Sequence, residues 1–153
     1  MVTGFGVVDA TDRRKLRIVD LGAIKPRAKD PLESRLLCIF RGVSEIIVKH
    51  SPQRVAVEGI YHAKNARSAL TLGHARGVVL LAAAHAGLPL SAFSPSTVKA
   101  QVSGYGLASK QQVSWMVSRL LSLPADVAPG DAADALALAI CGAELPTEQH
   151  GGK

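Results

Sequence analysis

The short run RVAVEGIY, from Arg54 to Tyr61, lies between two long segments with helical periodicity. Its β-branched residues indicate a buried strand, because such side chains pack well on a pleated surface. The preceding segment, DPLESRLLCIFRGVSEIIVKH, repeats apolar residues at helical spacing, and the segment from Asn65 to Gly87 is a long helix rich in small residues. A strand between two helices predicts a sheet with helices packed against it.

The remaining segments fit the same α/β class. The opening stretch VTGFGVVDATDRRKLRIVDLGAIK predicts a β-hairpin that turns at DATDRR. PLSAFSPS predicts another short strand, TVKAQVSGYGLASKQQVSWMVSRLLSL two helical pieces broken at SGYG, and PGDAADALALAICGAEL a final helix. We expect one domain over residues 1–145 and a disordered polar tail over residues 146–153.

The charge balance favours a polyanionic partner. The chain has 18 Lys and Arg against 12 Asp and Glu, a formal charge of +6. Such an excess attracts nucleic acid above all, although ordinary solubility explains it nearly as well. Cys38 and Cys141 lack zinc-site spacing and are expected to be small core residues in a reducing cytoplasm. The apolar run GVVLLAAAHAG is short and contains His85, so we expect no membrane span.

Two aspartates, Asp131 and Asp134, open the final helix directly after Pro129 and Gly130. One interpretation is capping, because carboxylates near a helix N-terminus accept bonds from its unpaired N–H groups and complement its dipole. The other is metal binding, because residues three apart share one helix face and magnesium takes oxygen ligands. This segment taken alone favours capping.

Glu58 is the most informative single residue. It interrupts the apolar run at the predicted carboxyl end of a strand, which is the edge where open α/β sheets bind ligands. A strand-end glutamate that simply reaches solvent explains this position about as well as a functional carboxylate does. Together with Asp131 and Asp134, however, it makes a plausible magnesium site for phosphodiester chemistry.

The stretch VEGIYHAKNARSALTLGHARGVV, from Val57 to Val79, and the stretch GDAADALALAI resemble the RuvC family of Holliday-junction resolvases. The similarity extends from about Thr3 to about Ala143, and both motifs occur in the family's order and spacing. The resemblance implies a ribonuclease H-like mixed sheet flanked by helices. It also implies a cytoplasmic homodimer that nicks a four-way DNA junction symmetrically during recombination and repair, in partnership with a branch-migration complex.

The resemblance also assigns roles to individual residues. Glu58 matches the catalytic acid of the family's second acidic strand, and Asp131 and Asp134 match the pair that opens its final helix. These three would hold two Mg²⁺ ions per subunit, one to activate the attacking water and one to stabilise the leaving oxygen. On this reading, the aspartates that open the final helix are ligands that also cap it.

Further residues match or neighbour the family's DNA contacts. Tyr61 matches an aromatic that meets bases at the junction, where a ring could stack on an unpaired base, although a half-buried strand-end ring is the alternative. Lys99 and Lys110 match basic residues on the DNA backbone or the reacting phosphate, and without the resemblance they would be solvated helix lysines. Weaker phosphate-contact candidates complete the set: Lys64 and Arg67, with Asn65 as a contact or a helix cap.

One part of the family pattern has no counterpart in this sequence. The family begins with a strand that carries a catalytic aspartate in an Ile-Asp-Pro-Gly-like motif, and the sequence here opens at Met1 just after that point. We expect two strand edges to lack their partner. Asp9 cannot substitute, because it lies eight residues along its strand, about 26 Å away at ~3.3 Å per residue. A start site upstream of Met1 is the favoured explanation, and a degenerate relative the other.

Three functions follow as expectations. The first is a magnesium-dependent, structure-selective DNA endonuclease. The second is a catalytically inactive junction-binding protein, in which the basic surface persists but the metal site does not form. The third is a ribonuclease H-like nuclease acting on another nucleic acid. Magnesium dependence separates the first from the second, because phosphate contacts are salt-sensitive but require no metal.

Overall fold

The computed structural model describes residues 1–11, 15–59, 66–123 and 131–144. The elements follow the predicted order of hairpin, helix, strand, helix, strand and helices, which confirms the α/β class. The four strands are β1 (Thr3–Asp9), β2 (Arg17–Ile24), β3 (Val55–Glu58) and β4 (Leu90–Phe93). The five helices are α1 (Leu32–His50), α2 (Ala66–His85), α3 (Pro95–Ser103), α4 (Lys110–Leu120) and α5 (Asp131–Glu144).

The strands form two pairs. Strands β1 and β2 are antiparallel, with an irregularity between Val7 and Val8, and β3 and β4 are parallel. Within the described residues no further strand is hydrogen-bonded to either pair. Helix packing holds the two pairs together.

Helix α5 packs against both strand pairs. Its buried side chains include Leu136, Ile140 and Cys141, at the centre of the main core cluster. Close approach depends on two glycines. A Cβ at Gly6 of β1 would lie 2.9 Å from Leu136 Cδ2, and a Cβ at Gly142 would lie 3.0 Å from the Cβ of Ala56 in β3. The predicted final helix therefore connects the two strand pairs.

Helix starts differ from expectation in two places. Helix α3 begins at Pro95, not Thr97, because the Ser94 side chain accepts from the Thr97 N–H at 3.1 Å and proline suits the first helical turn. The predicted strand PLSAFSPS is correspondingly shorter. At α1 the sequence predicts a start signal in Asp30 before Pro31, but the capping position is Pro31 itself, and no side-chain cap forms.

The two cysteines lie in different environments. Cys141 is buried, as predicted, and burial raises the pKa of its thiol to about 11. Cys38 is exposed, so its prediction as a core residue is wrong. The reason is its place on α1, because the neighbouring Ile39 turns into the core while Cys38 turns outward.

Four regions with predictions lie outside the described part of the chain. They are residues 12–14 of the hairpin turn, the segment 60–65, the segment 124–130 with Pro129 and Gly130, and the tail beyond residue 144, which includes the predicted disordered stretch 146–153. Where the structure describes a helix, its length and apolar character do not suffice to cross a bilayer.

Candidate active site

Glu58 is the last residue of β3 and its side chain is exposed. It pairs in register with Phe93, the last residue of β4, so the two parallel strands end at the same level. The Gly59 N–H donates to the Phe93 carbonyl at 2.7 Å, which extends the pairing one residue beyond the carboxylate. The predicted position of Glu58 at the carboxyl end of a strand is thus confirmed, although Val57 is the one buried residue of β3. The catalytic role of Glu58 stays a prediction.

Arg76 links α2 to this strand end. Its Nε donates to the Glu58 backbone carbonyl at 3.2 Å, so the guanidinium lies beside the main chain that carries the carboxylate. Sequence reasoning missed this residue. Nothing in the spacing of a single helical arginine indicates which distant carbonyl it will meet.

Asp131 and Asp134 lie in the first turn of α5, as predicted. The Asp134 side chain is 53% exposed, whereas Ala133, Leu136 and Ala137 of the same helix are buried. The side chain of Asp131 is outside the described part of the structure. The choice between capping and metal binding is therefore not decided for that residue by its contacts.

Lys110 meets Asp134 across the α4–α5 contact. The Lys110 Nζ lies 2.9 Å from Asp134 Oδ2, and the two residues line one side of a pocket with Gln111, Ser114 and Ala133. Lys110 is the first residue of α4, whose start is fixed by a reciprocal cap between Ser109 and Gln112. Because both charged side chains are more than half exposed, the pair contributes little to folding, about 0–1 kcal/mol. The pair places the ammonium group of Lys110 beside Asp134, a candidate metal ligand.

The other predicted DNA contacts are dispersed. Arg67 is exposed in the first turn of α2, and Lys99 is partly buried on α3. Tyr61, Lys64 and Asn65 lie outside the described residues. Of the predicted positions whose side chains the structure describes, it brings together Lys110 and Asp134 only.

The donor chemistry of the site fits a hard cation. Glu58 and Asp134 offer exposed carboxylate oxygens, which magnesium prefers as ligands. Among the side chains that the structure describes, no group of three His, Cys, Asp or Glu lies close enough to hold a metal ion. The predicted set of Glu58, Asp131 and Asp134 includes an undescribed side chain and stays a prediction.

The chain matches known proteins along most of its length. The family model described as crossover junction endodeoxyribonuclease RuvC matches residues 1–142. A relative from Koribacter versatilis with that description is 50% identical over 139 residues, covering 91% of this chain and 84% of the relative. A second, from Desulforamulus reducens, is 43% identical over 152 residues, covering 99% and 92%.

Solved structures give the same likeness in three dimensions. The structure of T. thermophilus RuvC in complex with a Holliday junction substrate matches with a TM-score of 0.83 and 33% identity, covering 92% of this chain and 91% of that chain. A Thermus thermophilus RuvC structure matches with a TM-score of 0.79 and 31% identity, covering 92% of each chain. These neighbours bear out the predicted ribonuclease H-like fold. The chain therefore belongs to the RuvC family of crossover junction endodeoxyribonucleases.

Proposed function

We propose that this protein resolves four-way DNA junctions by magnesium-dependent hydrolysis of phosphodiester bonds. The observation that carries the proposal is the likeness in fold and sequence to T. thermophilus RuvC, whose solved structure contains a Holliday junction substrate. The exposed carboxylates of Glu58 and Asp134 on packed elements support it, because this is the donor set that such chemistry requires.

In this proposal Glu58, Asp131 and Asp134 hold two Mg²⁺ ions. When bound, the ions supply activation of water and stabilisation of the leaving oxygen. The protein itself holds the carboxylates in position. Glu58 is fixed by strand pairing and by the Arg76 bond to its carbonyl, and Asp134 is fixed by the burial of α5. Rigid elements keep catalytic groups oriented better than loops do.

Lys110 has a separate role in this proposal. An ammonium has three N–H donors, so Lys110 can pair with Asp134 and still donate to a phosphate oxygen. It would then attract the scissile phosphate to the carboxylates. Tyr61, Lys64, Asn65, Arg67 and Lys99 are proposed to contact the junction around this centre.

The proposal is tested by cleavage of a labelled synthetic four-way junction with magnesium. We expect paired nicks with the unaltered chain, and none with Glu58→Gln, because the amide keeps the shape but loses the charge that holds a cation. Glu45→Gln is the matched control, since Glu45 is an exposed acid on α1.

The outcomes separate the alternative functions. Magnesium-dependent paired nicks that Glu58→Gln abolishes support the endonuclease. Metal-independent binding of the junction without cleavage would instead make the protein a junction-binding module. Preference for linear duplex or an RNA–DNA hybrid over the junction would contradict the substrate assignment.

We further propose that the protein acts as a homodimer, because symmetric nicking of two strands requires two centres. Helix α2 offers a suitable face. One side of this helix carries Leu70, Gly73, Gly77 and Leu81, which together span about three turns. Both leucines are at least 60% exposed. A Cβ on either glycine would meet nothing within 4 Å, so a second helix has room to approach.

The dimer proposal is tested by sedimentation of Leu70→Glu, which we expect to shift the protein to monomer. Leu72→Glu is the matched control. Leu72 is as exposed as Leu70, at 62%, but lies about 200° around the helix. Equal sedimentation of both variants and the unaltered protein would contradict this face. A branch-migration complex is a further proposed partner, and co-sedimentation with such a complex on junction DNA tests it.

A further inference from the structure

The whole formal charge of the chain arises from one segment. Between Gly59 and Ala125 there is no Asp or Glu, and the rest of the chain has 12 basic and 12 acidic residues. The segment contains six basic residues: Lys64, Arg67, Arg76, Lys99, Lys110 and Arg119. It includes α2, β4, α3 and α4. A surface that lacks acidic residues over four consecutive elements is complementary to a polyanion.

Helix α4 turns an unusual face to solvent in this segment. Gln111, Trp115 and Arg119 follow at four-residue spacing and therefore share one side, which we name the α4 outer face. Val113 and Val117 occupy the buried side of the same helix. Trp115 is 57% exposed, although large aromatic side chains are normally covered. Among the described side chains it is one of the largest apolar groups left in water.

Arg119 is already oriented on this face. Its Cζ lies 5.2 Å from the centroid of the Trp115 ring, within cation–π distance. Stacking engages the flat face of a guanidinium and leaves the N–H donors at its edge directed sideways. That edge matches the spacing of phosphate oxygens.

The α4 outer face is continuous with the candidate active site. Gln111 lines the same pocket as Lys110 and Asp134, and Trp115 and Arg119 follow it along the helix. With a rise of about 1.5 Å per residue, Arg119 lies about 13 Å along the axis from Lys110. At about 3.4 Å per base pair, this distance corresponds to roughly four base pairs of a duplex arm.

We propose that the α4 outer face is a second DNA contact, which binds the sugar-phosphate backbone of the junction arm beside the cleavage centre. Arg119 donates to a phosphate and Trp115 packs on the adjoining sugar and holds the guanidinium in place. The inference rests on the proposed function, since it takes junction DNA as the ligand. It adds two residues that the resemblance does not assign.

The test uses the full chain and a four-way junction in EDTA, so that binding is measured without cleavage. The chain has one tryptophan, so selective excitation reports Trp115 alone. We expect saturating junction to protect its fluorescence from acrylamide quenching. We also expect Arg119→Gln to weaken binding and to lower the slope of log K against log salt by about 0.9, the value for one phosphate contact.

Matched variants decide what the result means. Arg41→Gln removes an exposed arginine from α1, in the charge-balanced part of the chain, and should leave the slope unchanged. Trp115→Ser should weaken binding about tenfold and Trp115→Phe much less, because a ring still supports the guanidinium. Circular dichroism confirms that each variant is folded.

Several outcomes would overturn the inference. They are unchanged quenching of Trp115 on a fully bound junction, equal slopes for Arg119→Gln and Arg41→Gln, or a change in self-association with DNA affinity intact. The last outcome would assign the face to a second copy of the chain. If the unaltered protein bound no junction at all, the proposed function itself would fail, which is a distinguishable result.

Discussion

Two aspartates in this molecule each hold a lysine, but their surroundings differ. Asp20 of β2 accepts from Lys49 Nζ at 2.8 Å, from His50 Nε2 at 2.7 Å and from the Leu21 N–H at 2.9 Å. Asp134 of α5 pairs with Lys110 at 2.9 Å and is 53% exposed, against 26% for Asp20. The first carboxylate is enclosed by donors and fastens β2 to the end of α1. The second keeps an open side toward a pocket.

The electrostatic consequence appears at Asp20. Hydrogen bonds from Lys49 and His50 lower the pKa of its carboxyl from the ordinary 3.8 to about 2. A carboxylate can only accept, so His50 Nε2 carries the hydrogen in this contact. The carboxylate of Asp20 thus accepts from several donors, whereas that of Asp134, the proposed metal ligand, remains more than half exposed.

The largest expected effect is that of Asp134→Asn on cleavage. Loss of even an outer-shell partner typically costs 10–100-fold in metal affinity or activity, so if Asp134 is a metal ligand, as proposed, its loss should lower the cleavage rate more than about 100-fold. The melting temperature should stay within about 4 °C of the unaltered protein, because the lost pair is exposed. Single-turnover cleavage and thermal unfolding measure the two effects.

Asp20→Asn provides the opposite control. It should reduce stability while the folded fraction still cuts the junction at the ordinary rate. A folded Asp134→Asn protein with full activity, or a folded Asp20→Asn protein with none, would contradict the structural role of Asp20 and the functional role of Asp134.

The second effect is on the pH dependence of unfolding. Because the pKa of Asp20 is lower in the folded protein, its ionised form stabilises the fold fully above about pH 4, and that contribution disappears as the pH falls toward about 2. Denaturant unfolding of the unaltered protein and Asp20→Asn should therefore differ most above pH 4 and converge near pH 2. A constant difference across this range would show that Asp20 acts through shape alone.

The smallest effect is expected on replacing the lysines. Lys49 and Lys110 are exposed to similar extents, 67% and 66%, so Lys49→Gln and Lys110→Gln should each lower the melting temperature by less than about 4 °C. Lys49→Gln should cost less than Asp20→Asn, because His50 and the Leu21 N–H still occupy the carboxylate. A larger loss of stability for Lys49→Gln than for Asp20→Asn would show that Lys49 contributes more than Asp20 to holding β2 against α1.

Local pattern predicted much of this architecture. The β-branched run that ends in Glu58 and the apolar periodicity of α1 and α5 carry their own information, because each reflects a face that must be buried. The start of α3 was misplaced because Ser94 and Pro95 suit both the end of a strand and the start of a helix. Local chemistry alone does not choose between them.

Other features depend on packing between distant segments. Lys110 and Asp134 are 24 residues apart and meet because the buried sides of α4 and α5 share one core. Arg76 reaches the Glu58 carbonyl only when α2 packs against α1 and β4, the strand that pairs with β3. The exposure of Cys38 depends on how α1 is rotated about its axis, which its broad distribution of apolar residues does not define.

Helix α5 has a consequence for motion. It packs closely on Gly6 of β1 and, through its own Gly142, on Ala56 of β3, and its first turn carries the two aspartates. Any fluctuation that lifts this helix must open both contacts and expose Leu136 and Ile140 together. The hydrogen-bonded amide protons beyond its first turn should therefore exchange only through the rarest and most global openings, so the acids begin the helix that opens least often.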